Sequence, residues 1–304
     1  MLLTCSPGPR LRPYVRSLWV SAPGRGTSSL ATSPREHVLP TGDMHLVLRL
    51  SGPPLRLFAG AADTAGYTVG WAIVGGARSA FHARDVSVAT GSVGAQLRPG
   101  AARALFGLPA GELAERHTPL EALWGDGAVQ EALERVHAAG SPEARLAVFE
   151  ALLAERLAPQ PQAMHPAVAR ALAGLGGGLP IRALVQASGY SHRRFITLVR
   201  DAAGLAPKQL QRVQRLQRVM AAGPGVRALP WVALALEAGY SDQSHFNRDF
   251  LEIAGMTPQA YRRAAPASPN HVPAGFNFVQ DGGAGRSQNR GQTHTCTGVL
   301  DGHP

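Results

Sequence analysis

The sequence predicts an α+β, multidomain chain: a β-rich N-terminal domain with trailing helices, then an all-α C-terminal domain. Three observations in its 304 residues lead there. Residues 11 to about 98 are rich in Gly, Pro, Val and Thr, with short apolar bursts. From Pro99 onward the apolar residues recur at helical spacing. Within the helical part, one helix–turn–helix segment occurs twice, offset by 50 to 51 residues.

Residues 45–50, 67–74 and 83–89 read as strands bounded by Gly and Pro turns. Helices follow to residue 157. The first begins after Pro109, with Glu112, Leu113, Glu115 and Arg116. Residues 128–139 and 142–157 form longer ones. The last places Leu146, Phe149, Leu152 and Leu153 on one stripe, with Ser141 as N-cap and Pro142 in the first turn. Residues 158–163 (Ala-Pro-Gln-Pro-Gln-Ala) read as a linker, closing an N-terminal domain of residues 1–160. Residues 164–264 read as helix with brief Gly breaks. The tail, 265–304, is Pro, Gly, Asn and Thr with little to bury and is expected to be mostly disordered, Phe276, Phe278 and Val279 being its candidates for local docking.

Composition narrows the class. Hydrophobic residues make up 45 %, enough for proper cores. No apolar run approaches the ~18 residues a membrane-spanning helix needs, and the first apolar residues break at Pro7 before a secretory segment develops. Cys5 and Cys296 stand near opposite ends, too few and too scattered for a disulfide framework or metal knuckle. A cytoplasmic protein is expected. The net charge is +10, and its location says more than its size. Between His165 and Ala265 thirteen basic residues face five acidic ones, so about a third of the chain carries +8. A polyanion partner for this part follows as an expectation.

The duplication supports it. Gly189-Tyr-Ser-His-Arg-Arg-Phe195 returns as Gly239-Tyr-Ser-Asp-Gln-Ser-His-Phe246, and Gly204-Leu-Ala-Pro207 as Gly255-Met-Thr-Pro258. A short apolar helix precedes each Gly-Tyr, so each copy is helix, tight Gly turn, helix, Gly stop. In the first copy Phe195, Leu198 and Val199 form an inward stripe. The opposite face holds Arg193, Thr197 and Arg200, flanked by Arg194 and Ile196. In the second, Phe246, Phe250 and Ile253 point inward, Ser244 and Arg248 outward, and Gln243, His245 and Asn247 to the sides. These outward types suit base edges, Arg matching guanine and Asn or Gln adenine. Ser191 and Ser241 or Asp242 are candidate N-caps, which would leave early N–H groups near phosphate. Arg212, Arg215 and Arg218 project from the helix between the copies, Arg262 and Arg263 from the last one. An outward polar face on a single helix is ordinarily just solvated; here duplication, inward stripes, outward readers and local charge coincide.

Gly239-Tyr-Ser-Asp-Gln-Ser-His-Phe-Asn-Arg-Asp-Phe250, followed by Ala254-Gly-Met-Thr-Pro-Gln-Ala-Tyr-Arg262, resembles the C-terminal signature of the AraC/XylS family of bacterial transcription regulators. The resemblance covers about residues 166–263 and is looser in the first copy. It implies two helix-turn-helix units joined by a long helix, here about residues 207–221, with recognition helices entering successive major grooves about one turn, ~34 Å, apart. By position it implies base contacts from Arg193, Ile196 and Thr197 in the first unit. In the second it implies them from Gln243, Ser244, His245, Asn247 and Arg248. Ile196 departs from the polar residue often found there and suits a thymine methyl. Phosphate contacts are expected from Arg194, Arg200, Arg212, Arg215, Arg218 and Arg262.

Three N-terminal segments resemble the β-rich domain of one AraC-type subgroup: Leu11-Arg-Pro-Tyr-Val-Arg-Ser-Leu-Trp19, His37-Val-Leu-Pro-Thr-Gly-Asp43 and Leu97-Arg-Pro-Gly-Ala-Ala-Arg-Ala-Leu-Phe-Gly107. Such domains sense a small molecule or dimerise. His37, His45 and His82 lack the His-x-His and following Glu of a cupin metal site, so no metal is expected. Nucleophile-elbow, zincin and phosphate-loop motifs are missing, and the Gly174–Gly178 cluster has no accompanying Lys. No catalytic residue and no cofactor are therefore expected. Trp19, Phe58, Trp71 and Phe81 read as core aromatics or pocket lining. The expected partner is double-stranded DNA, with RNA polymerase, a small-molecule effector and a second copy of the chain as further candidates and no membrane. A sequence-specific, double-stranded DNA-binding transcription regulator is the expectation, activator or repressor; a DNA-targeted enzyme and a ligandless dimerising DNA-binding module stand as alternatives.

Overall fold

The computed structural model describes residues 2–22, 34–60, 63–159, 164–221, 231–266 and 268–274. The N-terminal half forms two antiparallel sheets. One orders β1 (Leu2–Cys5), β2 (Val15–Ser21), β9 (Ser92–Leu97), β4 (Met44–Arg49), β7 (Ala72–Gly75) and β10 (His117–Pro119). The other orders β11 (His271–Pro273), β3 (Arg35–Val38), β8 (His82–Asp85), β5 (Leu55–Phe58) and β6 (Tyr67–Gly70). Helices α1 (Ala101–Phe106) and α2 (Ala110–Leu113) follow β9, and α3 (Glu121–Trp124), α4 (Asp126–Ala138) and α5 (Pro142–Arg156) follow β10.

Alternation explains the larger sheet. In β4, Met44, Leu46 and Leu48 are buried while His45 and Val47 are half-buried, as a period of two requires. Leu46 stands beside Ala95 of β9 and Val74 of β7. Helix α5 packs across β2 and β9, adding Phe149, Leu152 and Leu153 to the core that holds Leu18, Val93 and Leu97. Each such side chain contributes about 1.5–3 kcal/mol when fully buried. The α5 start matches the sequence: the Ser141 side chain accepts from the Ala144 amide, and Pro142 occupies the first turn.

Three local expectations are corrected. The run 67–74 is not one strand: β6 and β7 belong to different sheets, and the chain crosses between them just after Gly70, whose φ is +147°. The helix after Pro109 stops at Leu113, since Ala114 is extended and Glu115 has a φ of +60°, so Arg116 leads into β10. Within the expected disordered tail, β11 pairs with β3, and Val272 is buried in one core with Leu39. Phe276, Phe278 and Val279 lie outside the described residues.

The C-terminal half comprises α6 (Pro166–Gly176), α7 (Ile181–Ser188), α8 (His192–Ala203), α9 (Pro207–Ala221), α10 (Trp231–Glu237), α11 (Gln243–Ala254) and α12 (Pro258–Ala264). Helix α9 serves two cores. Leu210 and Val213 join Phe195, Val199 and the larger sheet, whereas Leu216, Val219 and Met220 join Trp231, Phe246, Phe250 and Leu39. Both units thus share apolar cores with the N-terminal half. The helices on either side of the expected 158–163 linker, α5 and α6, contribute to one packed core, with Leu153 and Leu157 from one side and Ala171 and Leu175 from the other.

Candidate nucleic-acid interface

The two copies of the repeat fold alike because their local signals are alike. Gly189 and Gly239 turn the chain at φ +70° and +88°, a conformation that favours glycine. The Ser191 hydroxyl then accepts from the Arg194 amide at 3.3 Å, and the Asp242 carboxylate accepts from the His245 amide at 2.7 Å. Asp242, rather than Ser241, is therefore the second cap. That amide bond, with the Ser241 hydroxyl adding, holds the Asp242 carboxyl below the usual range. Gly204 and Gly255 end the helices, again at positive φ.

On α8, Phe195, Val199 and Ala203 are buried; His192, Arg193, Arg194, Thr197 and Arg200 are exposed; Ile196 and Leu198 are half-buried. The Thr197 hydroxyl donates to the Arg193 carbonyl. On α11, Phe246, Phe250 and Ile253 are buried, and Gln243, Ser244, Asn247 and Arg248 are exposed. His245 differs: half-buried, its ring stands edge-on to Tyr240 with centroids 5.2 Å apart, its Nδ1 lies 3.1 Å from the Ser241 hydroxyl, and its Nε2 lies 3.9 Å from Asp249.

Beneath α11 lies an aromatic cluster. Phe246 contacts Trp231, Tyr240 and Phe250 at centroid distances of 5.2–5.5 Å, and Phe250 meets Tyr261 at 5.7 Å. Tilted and edge-on aromatic pairs like these add about 0.5–1.5 kcal/mol each beyond burial. Asp249 is the exception on the buried stripe. Its Oδ1 accepts from Arg212 Nε at 3.0 Å and Nη2 at 2.8 Å, while Nη2 also reaches Glu252. Burial pushes the Tyr240 phenol up, and the charge of Asp249 pushes it further.

The six expected phosphate arginines divide into two groups. Arg194 and Arg200 are exposed on α8. The other four are half-buried with partners inside the fold. Arg212 holds Asp249 and Glu252, and Arg218 donates to the Gly176 carbonyl at 2.8 Å and the Ala238 carbonyl at 3.1 Å. The Arg215 guanidinium lies 5.0 Å from the Tyr240 ring centroid, and that of Arg262 lies 4.5 Å from the Trp231 ring. Arg218 thereby joins the end of α6 to the end of α10, where cations complement helix carbonyls. Exposed Arg170, Arg182 and Lys208 belong to the basic surface but to no motif, the local charge count being their only signal, and Arg263 is exposed on the last helix as expected.

The N-terminal candidates do not converge. Trp19 lies across Gly94, where a Cβ would strike its ring. Phe58 is buried under the guanidiniums of Arg35 and Arg56, Trp71 is exposed, and Phe81 stacks on His37 at 4.3 Å. His82 stands edge-on to His117, 4.5 Å between centroids. Among the described residues no group of three His, Cys, Asp or Glu comes together to hold a metal, and no helix is long and apolar enough to cross a membrane.

Residues 175–264 match the family model described as a helix-turn-helix domain, and residues 3–119 match a domain of unknown function (DUF6597). No curated protein matches the sequence. Crystal structures of ToxT from Vibrio cholerae are among the similar folds. One, from strain O395, has a TM-score of 0.41 at 11 % identity, over 75 % of this chain and 92 % of that one. The wild-type protein with bound unsaturated fatty acid gives 0.42 at 11 %, over 77 % and 92 %. An apo variant gives 0.43 at 8 %, over 81 % and 97 %. At this similarity no ligand or site carries over.

Proposed function

We propose that the chain is an AraC/XylS-type transcription regulator, a reading supported by the match of residues 175–264 to a helix-turn-helix domain, and that α8 and α11 read specific base sequences in double-stranded DNA and so direct it to its sites. One observation carries this reading: two helices, each capped by a side chain and each buried along an apolar stripe that starts at a phenylalanine (Phe195 or Phe246), turn base-matching side chains to solvent at equivalent positions. Arg193 corresponds to Ser244, Ile196 to Asn247 and Thr197 to Arg248. In the first unit Arg193, Thr197 and the edge of Ile196 are the readers. In the second they are Gln243, Ser244, Asn247 and Arg248, with His245 helping to seat the helix. Arg194 and Arg200 supply sequence-independent phosphate binding. Arg212 and Arg215 tie α9 to the second unit, Arg218 joins the two units, and Arg262 braces the second unit from within.

The protein acts by binding, in the cytoplasm, and the N-terminal domain is its regulatory half. That domain shares packed cores with both units. A small molecule or a second copy that binds it better in one arrangement of the units than in another changes DNA affinity by that difference. Selection of bound duplexes from a random pool tests the reading. A defined site, with one position relaxed by Arg248→Ala, supports it; the same sequence-blind binding with and without Arg248 refutes it.

A further inference from the structure

Both recognition helices end on the N-terminal domain, and they do so at equivalent points of the repeat. With Phe195 matching Phe246 and Gly204 matching Gly255, Ala202 matches Ile253. The Gly100 amide donates to the Ala202 carbonyl at 2.8 Å, and the Phe81 amide donates to the Ile253 carbonyl at 2.7 Å. Last-turn carbonyls have no partner within their own helix, so the N-terminal domain supplies the cap in both units. The glycine beyond each helix is covered as well. A Cβ on Gly204 would stand 2.9 Å from the Ala77 methyl, and one on Gly255 would run into the Phe81 ring. The positive φ values of these glycines, +88° and +69°, serve the turn, and their bare α-carbons admit the neighbouring domain.

Ala77 and Phe81 belong to one connection, residues 76–81, between β7 and β8. They are four residues apart, a span of about 14 Å at full extension. One short turn therefore touches the ends of both recognition helices. The ring of His37 stacks on Phe81 and braces it. Other contacts between the halves reach α9: Gly42 lies against Leu210 and Val213, and the Gln217 side chain donates to the Pro40 carbonyl.

We propose that the 76–81 turn fixes the separation of the two recognition helices, so that the N-terminal domain decides which spacing of DNA half-sites the protein accepts. The proposal rests on α8 and α11 being the reading helices. Moving one half-site by a base pair shifts it about 3.4 Å along the duplex and about 35° around it. A clamped pair of helices cannot follow such a shift without losing contacts; a pair held through α9 alone follows part of it.

The test uses the full chain and duplexes built from its selected site, with the half-sites at the native interval or one or two base pairs closer or farther apart, measured by fluorescence anisotropy. Wild-type affinity is expected to fall about tenfold per base pair of displacement, the scale of one lost base contact. Phe81→Ala is expected to flatten that fall to about threefold while binding the native interval about as well as wild type. Ala77→Gly, which removes one methyl from the other arm, and His37→Leu, which releases the ring without changing it, are expected to flatten it in part and serve if Phe81→Ala does not fold. A spacing profile as steep in these variants as in wild type overturns the proposal. So does a uniform gain of affinity at every interval, which would make the turn a brake. If wild-type binding is indifferent to Arg248→Ala, the assignment of the reading helices fails first, and that result is distinct from an unchanged spacing profile.

Discussion

Replacing Arg212 by alanine is expected to destabilise the second helix-turn-helix unit and leave its polyanion binding unchanged. The Asp249 side chain is 8 % exposed, and Arg212, 31 % exposed, gives it two hydrogen bonds. Removing one partner of a fully buried ion pair costs about 3–5 kcal/mol, because the other charge stays behind unpaired. Arg212 is open enough for water to enter the vacated space, which lowers the expected cost to about 2–3 kcal/mol. For a cooperative unit of about 200 residues that is a drop of about 5–10 °C in Tm. Asp249→Ala costs less, since Arg212 keeps Glu252 and some solvent, and the double substitution costs less than the two added together. Calorimetry of the four proteins, with salt titrations of DNA binding, decides the matter. An Arg212→Ala protein with unchanged Tm and a salt slope smaller by about one unit would make Arg212 a phosphate ligand and refute the reasoning.

Arg248→Ala is expected to weaken binding to the selected site by about 1–3 kcal/mol and to relax preference at one base pair, read by competition among single-base variants of the site. Arg194→Ala is expected to weaken all sequences alike and to reduce the salt slope by about one, with Tm unchanged, as an exposed side chain allows. Acid is expected to destabilise the N-terminal half. Burial, with the nearby charges of Arg78, His45 and Arg84, pushes the His117 imidazole down to about 4, and burial beside His117 lowers His82 in the same direction. The folded chain then binds fewer protons than the unfolded chain below pH 6.5. This stability is complete above about pH 6.5 and is lost as pH falls toward about 4. Urea midpoints at pH 7.5, 5.5 and 4.5 measure the loss, which His117→Asn is expected to reduce.

The sequence exposed the C-terminal half far better than the N-terminal one, and the reason is range. Gly189, Gly239, the Ser191 cap, Asp242 and Pro207 act within one helical turn of themselves, so their spacing in the chain is their spacing in space. Strand pairing is not local. The run 67–74 carries no sign that it changes sheets at Gly70, and β11 finds β3 across more than two hundred residues. The arginines of α9 show the same limit. A charge count cannot separate an exposed guanidinium from one whose partner lies 37 residues away, as Asp249 does from Arg212. One sign was present: Asp249 falls on the stripe of Phe246, Phe250 and Ile253, and a carboxylate on a buried face requires a cation inside the fold. His245 likewise has the residue type of a base reader, and only its contacts with Tyr240 and Ser241 mark it as part of the helix seat.

Methylation interference on the selected duplex probes guanine N7 in the major groove base by base, for wild type and for Arg248→Ala. Two clusters of sensitive guanines about one helical turn, ~34 Å, apart on one face, with Arg248→Ala erasing sensitivity in one cluster alone, are the expected result. A single cluster, clusters on opposite faces, or a pattern unmoved by Arg248→Ala would contradict reading by paired helices.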